Sequence, residues 1–152
     1  MATEKTARAT WEGDLMSGSG RISTGSGALS AEGVTWSARA EEAEGVSPEE
    51  LIAAAHALCV SMALSHALAD GGSKPTRLET NATAAFDKTE AGFRLTHIKL
   101  EIEGEVDGID DAAFREAAEG AKDNCPVSKA LEGNVAISVE AKLASPSPAQ
   151  SG

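Results

Sequence analysis

Ser47-Pro48-Glu49-Glu50-Leu51-Ile52-Ala53-Ala54-Ala55-His56-Ala57-Leu58-Cys59-Val60-Ser61-Met62-Ala63-Leu64-Ser65-His66-Ala67-Leu68-Ala69-Asp70, closed by Gly71-Gly72, is the stretch whose reading decides the fold. It reads as one long helix with both ends marked. Ser47 suits the N-cap, Pro48 sits at the first helical position, where its missing N–H costs nothing, and Glu50 follows as a capping-box partner. Gly71 and Gly72 supply a left-handed stop. Almost every residue between is Ala, Leu, Ile, Val or Met, so the helix is apolar on all sides and has to be surrounded rather than laid on a surface. At about 1.5 Å per residue it runs about 33 Å, the diameter of a small domain. A chain of 152 residues would struggle to cover it alone, which favours shared burial in an oligomer.

Working outward, the size fits one domain over residues 1–144, with a Ser/Pro-rich tail over 145–152 that reads as disordered. Three Phe, two Trp and no Tyr leave the core to Ala, Val, Leu and Ile. A net charge of -11 argues against nucleic-acid and anionic-membrane partners, because both would be repelled. The N-terminus lacks the apolar run of a secretory signal. The long helix has the length to span a bilayer, but His56, His66, two Ser and many weakly apolar Ala disfavour insertion, so a cytoplasmic protein is expected. In that compartment two cysteines point to redox activity, metal binding or no role, rather than to a static staple.

Ahead of the helix, Trp11, Leu15, Ile22 and Val34-Thr35-Trp36-Ser37-Ala38-Arg39 are separated by Gly-Ser clusters, the pattern of short strands and tight turns. Alternation of Val34, Trp36 and Ala38 predicts a last strand from whose end Arg39 projects. Glu41 to Gly45 forms an acidic connector. Beyond the helix, Ser73-Lys74-Pro75 reads as a connector, and residues 81–88 and 93–106 as a hairpin turning at Glu90-Ala91-Gly92. Phe93 and Leu95 share one parity and Ile98, Leu100 and Ile102 the other, which predicts a β-bulge near His97. Asp110 or Asp111 caps a second helix with the stripe Phe114, Ala117, Ala118, Ala121, ending near Asn124; a helical turn over 127–131 and a strand alternating from Val135 to Leu143 follow. The fold class is α+β, antiparallel sheet packed on helix. There is no GxGxxG, P-loop or repeat to support a nucleotide cofactor.

The chemistry rests on the thiols. A mid-helix cysteine such as Cys59 is by default a small buried hydrophobe, and apolar burial raises its pKa. It becomes reactive only with a cation brought from elsewhere, and Arg39 is the best candidate. Lowering a thiol pKa from about 8.5 by about three units takes about 4 kcal/mol, within reach of one partly buried guanidinium. Glu49, left free by Glu50, either complements the helix dipole or pairs with Arg39. Cys125 precedes Pro126 and a helical turn, where a thiolate is favoured; it is a resolving thiol or a buried structural one. His56, Cys59, His66 and Cys125 invite a zinc reading, but positions i, i+3 and i+10 spread over three turns, too far for one ion. No metal or cofactor is expected, and the two histidines read as packing or interface residues.

Residues 47–65, Asn-Cys-Pro-Val-Ser-Lys-Ala-Leu at 124–131 and Trp-Glu-Gly-Asp at 11–14 together resemble the OsmC/Ohr family of organic hydroperoxide reductases, with the closest match to its osmotically inducible protein C branch. The resemblance extends to about Leu143. It implies an intertwined homodimer with two long helices at its centre and active sites at the interface. It also implies that Cys59 is the peroxidatic cysteine, Cys125 the resolving cysteine, Arg39 the thiolate-stabilising arginine, and Glu49 its carboxylate partner, reached across the interface. Val60 and Leu58 depart from the family, standing where an aromatic and a smaller residue are usual. The implied activity is a thiol-dependent peroxidase that reduces organic hydroperoxides and is regenerated by an external thiol or dithiol. The alternative is a stress-related binding protein for an apolar small molecule, with thiols that do no chemistry.

Overall fold

A computed structural model describes residues 1–41 and 44–144. The expected acidic connector, in part, and the expected disordered tail lie outside the described residues. Contacts divide the chain into two compact units, Met1–Leu51 and a second beginning at Ile52.

The first unit carries β1 (Ala7–Glu12), β2 (Ser19–Thr24) and β3 (Glu32–Val34), an antiparallel sheet in that order. Trp11-Glu12-Gly13-Asp14 leads into the β1–β2 turn: the Asp14 carboxylate accepts the Ser17 N–H and hydroxyl, each at 2.7 Å, and the Trp11 indole N–H donates to the Asp14 carbonyl at 3.2 Å. The Ser17 backbone and side-chain donors hold the Asp14 carboxyl below its usual range. The strand expected over Val34 to Arg39 stops at Val34. Trp36–Ala40 instead forms a helical turn, α1, because the Thr35 hydroxyl accepts the Ala38 N–H at 3.1 Å and caps it. Arg39 therefore projects from the last turn of a short helix, not from a strand end.

The division between the units falls inside α2 (Pro48–Asp70), whose ends follow the sequence signals. The Glu50 N–H donates to Ser47 Oγ at 3.1 Å. At the other end, Gly72 has φ +92°, its N–H bonds the Ala69 carbonyl, and the Ser73 N–H bonds the Leu68 carbonyl at 2.8 Å. Together these two bonds form a complete Schellman stop.

In the second unit a long hairpin, β4 (Pro75–Thr89) and β5 (Gly92–Val106), turns at Glu90-Ala91. It starts at Pro75, in the expected connector. Ala85 pairs with His97 and Phe86 with Leu95, so Thr96 is the extra residue of the expected bulge. Then come α3 (Asp111–Asn124), capped by Asp110, whose carboxylate accepts the Ala113 N–H at 2.8 Å; α4 (Pro126–Leu131); and β6 (Ala136–Leu143). The sheet order is β4-β5-β6, and β6 runs parallel to β5, which corrects the expectation of wholly antiparallel sheet. The helical crossover through α3 and α4 returns the chain to the starting end of β5 and makes parallel pairing possible.

One core joins these elements: Val60, Leu64 and Leu68 of α2, Ile98, Leu100 and Ile102 of β5, and Phe114, Ala118 and Ala121 of α3, with Cys125 among them. Fully buried Leu64, Ile98, Leu100 and Phe114 each contribute about 1.5–3 kcal/mol by leaving water. Ser61 ties α2 to β4 through a 2.7 Å hydrogen bond with the Thr80 hydroxyl. The opposite side of α2 is uncovered: Ala54, Ala55, Leu58, Met62, His66 and Ala69 are exposed, Leu58 and Met62 at 64% each.

Candidate active site

The second unit brings the two thiols together. Cys59 comes from the middle of α2, where Val60 and Leu64 turn inward and hold the helix against the core. Cys125 is the single residue between α3 and α4: its N–H donates to the Ala121 carbonyl at 2.9 Å, and its carbonyl accepts the Lys129 N–H at 3.0 Å. Pro126 makes this corner by occupying the first position of α4, where no donor is needed. Both cysteines are free thiols, Cys125 fully buried and Cys59 partly exposed.

Burial pushes the Cys59 thiol up, and the neighbouring Cys125 pushes it further; the Val127 backbone N–H in the first turn of α4, close to Cys59, opposes the rise. The net direction is upward. Two neighbouring thiols suit a disulfide cycle, whereas a thiolate at neutral pH needs a positive charge in addition.

The first unit forms the second expected pair. Arg39 Nε donates to Glu49 Oε1 at 2.8 Å and Oε2 at 3.3 Å, with the Glu49 side chain 9% and the Arg39 side chain 37% exposed. Glu49, in the first turn of α2, thus binds the guanidinium of Arg39 in the same chain.

His56 is fully buried, as a packing role requires, whereas His66 is exposed. Sequence reasoning missed the partner of His56: Nε2 lies 2.7 Å from Oγ of Ser128, which is itself buried. The signal was present in the spacing, since His56 precedes Cys59 by three and Ser128 follows Cys125 by three. Burial lowers the His56 pKa and leaves Nδ1 without a hydrogen-bond partner. Among the described residues, no group of three or more His, Cys, Asp or Glu is arranged to hold a metal ion.

Residues 41–140 match the family model for OsmC-like protein. The chain is 42% identical over 142 residues to peroxiredoxin OsmC of Escherichia coli, covering 93% of this chain and 99% of that protein. It is 29% identical over 124 residues to the organic hydroperoxide resistance protein OhrB of Bacillus subtilis, covering 81% and 89%. The crystal structure of that OhrB superposes with a TM-score of 0.71 at 27% identity, covering 90% of this chain and 98% of the other. An organic hydroperoxide resistance protein from Elizabethkingia anophelis, at 24% identity, shares the fold with a TM-score of 0.75 over 95% of this chain and 100% of its own. With the matched model spanning residues 41–140 and a 42% identical relative aligned along nearly the whole chain, this protein belongs to the OsmC family.

Proposed function

We propose that this protein is a cysteine-based peroxidase that reduces organic hydroperoxides to alcohols. The observation that carries the reading is that Cys59 and Cys125 lie near enough for the second thiol to influence the ionisation of the first, with the backbone of Val127 also close to Cys59. The Cys59 thiolate attacks one peroxide oxygen, the O–O bond breaks, and the alkoxide leaves and takes up a proton as the alcohol. Cys59 is left as a sulfenic acid. The Cys125 thiol then attacks that sulfur, forming the Cys59–Cys125 disulfide and releasing the sulfenic oxygen as water. An external thiol or dithiol reopens the bond by exchange. None of the three steps requires a cofactor.

Arg39, oriented by Glu49, is assigned as the cation that the Cys59 thiolate needs. The support is chemical: burial and Cys125 both oppose ionisation, and the Val127 N–H alone does not reverse them. The reading also includes a single domain over residues 1–144, a homodimer and a cytoplasmic location. The uncovered strip on α2, with Leu58 and Met62 each 64% exposed, supports the homodimer, because so apolar a surface gains most from a second copy of itself.

The test is peroxide consumption with cumene hydroperoxide and with hydrogen peroxide, using a dithiol reductant. Faster removal of the organic peroxide and loss of turnover in Cys59→Ser are the expected results; a fully active Cys59→Ser protein refutes the reading. The upward direction of the Cys59 pKa favours one second reading, a binding protein for an apolar ligand whose thiols stay protonated. Titration of thiolate absorbance separates the two, since an apparent pKa at or above about 8.5 favours binding.

A further inference from the structure

The two helical segments that carry the thiols are linked by a hydrogen bond between His56 and Ser128. His56 lies three residues before Cys59 on α2, so the two side chains leave neighbouring turns of one face. Ser128 lies three residues after Cys125, in the first turn of α4. Cys59 lies near Cys125, and His56 Nε2 meets Ser128 Oγ at 2.7 Å, so a hydrogen bond runs alongside the thiol pair. That bond is fully internal: His56 is 0% and Ser128 5% exposed. A polar pair in a core is costly unless matched, so it constrains register more tightly than interchangeable apolar contacts do. The pair belongs to neither the thiols nor the Arg39–Glu49 couple.

We propose that the His56–Ser128 hydrogen bond positions Cys125 against Cys59, and so sets both the rate at which the sulfenic acid is resolved and the equilibrium of the disulfide. The proposal rests on the redox-pair reading given above. In the step concerned, the Cys125 sulfur bonds to the Cys59 sulfur, the Cys59 S–O bond breaks, and the hydroxyl leaves with the Cys125 proton as water. Sulfur–sulfur bonding at about 2.05 Å accepts a narrow range of Cβ separation, about 3.5–4.5 Å. A shift of α4 along α2 by a fraction of a helical turn would take Cys125 out of that range. His56 and Ser128 are positioning residues, because neither touches the reacting atoms.

The experiment compares the full-length protein with Ser128→Ala, Ser128→Thr and His56→Gln. Peroxide is mixed rapidly with reduced protein, and Cys59 oxidation and disulfide formation are followed separately, the first by dimedone trapping and mass, the second by thiol count. For Ser128→Ala and His56→Gln the expected result is disulfide formation slowed tenfold or more, with Cys59 oxidation within twofold of the parent and dimedone adduct accumulating. Ser128→Thr keeps the hydroxyl and should restore resolution. A second measurement needs no peroxide: in glutathione buffers, oxidised glutathione takes the two protein thiols to disulfide and yields two reduced glutathiones. Ser128→Ala should lower that equilibrium constant tenfold, a rise in potential of about 30 mV, and Ser128→Thr should restore it. Wild-type resolution and an unchanged equilibrium in Ser128→Ala overturn the proposal, as does an equal slowing of both steps, the mark of general loosening. A protein that consumes no peroxide yet shows the tenfold glutathione shift contradicts the peroxidase reading and supports the positioning role.

Discussion

Glu49→Gln tests whether the Arg39–Glu49 pair is energetically joined. Unit charges about 4 Å apart interact by about 4 kcal/mol at an effective dielectric of about 20. With the Arg39 side chain 37% exposed, solvent screens much of this, and freely exposed pairs contribute about 0–1 kcal/mol. Glu49, at 9% exposure and 2.8 Å from Nε, places the pair between these limits, at about 1–2 kcal/mol. The amide can still accept a hydrogen bond, so Glu49→Gln removes the charge and keeps the shape. A double-mutant cycle of Glu49→Gln with Arg39→Gln, read by urea unfolding at fixed protein concentration, should give that coupling energy; in thermal unfolding each kcal/mol corresponds to about 2–4 °C. If the pair also orients the cation for Cys59, thiolate titration of Glu49→Gln moves the Cys59 pKa upward and kcat/KM for cumene hydroperoxide falls tenfold or more. A coupling below about 0.5 kcal/mol refutes the energetic argument. A Cys59 titration identical to that of the parent refutes the orienting role given to Glu49.

Gly104→Ala should destabilise the protein by about 1–3 kcal/mol in urea, since a Cβ there would lie 2.5 Å from the Phe114 ring and 3.1 Å from Leu78; Phe114→Leu in the same chain should recover part of the loss. Burial lowers the folded-state pKa of His56, so between that value and the unfolded value near 6.5 the unfolded chain binds the extra proton. Stability is therefore full above about pH 6.5 and falls with acidification at up to about 1.4 kcal/mol per pH unit, a slope that urea midpoints should show flattened in His56→Gln. The proposed homodimer predicts that the parent sediments as a dimer at micromolar concentration and that Leu58→Arg with Met62→Lys sediments as a monomer, because charge replaces the uncovered apolar strip of α2.

The most legible element was α2, whose Ser47 cap and Gly72 stop are local hydrogen-bond devices that need no tertiary information. The bulge at Thr96 was legible for a related reason: a change of parity between Leu95 and Ile98 has to be absorbed if both are to face one core. Arg39 was misplaced because three alternating apolar residues also fit a single helical turn, and the deciding signal was Thr35, a cap three residues ahead of the N–H it accepts. The direction of β6 was not legible at all, since alternation fixes the face of a strand and not its sense. Cys59, Cys125, Arg39 and Glu49 were singled out by motif and charge demand, and the structure sets Cys59 beside Cys125 and Arg39 on Glu49. His56 and Ser128, separated by 72 positions, were joined only by folding.

Cys125 as the lone residue between α3 and α4 limits how this chain can change shape when oxidised. Slack is needed for a swinging arm, and here the N–H and carbonyl of the cysteine are both engaged by the flanking helices. Closure of the disulfide is then left to side-chain rotation and small adjustments of α4, so the surface around the two cysteines should be nearly the same in the reduced and oxidised states. An incoming reductant would meet a fixed receptor in either state, and its discrimination between spent and ready enzyme would come from the sulfur chemistry itself rather than from a moving surface.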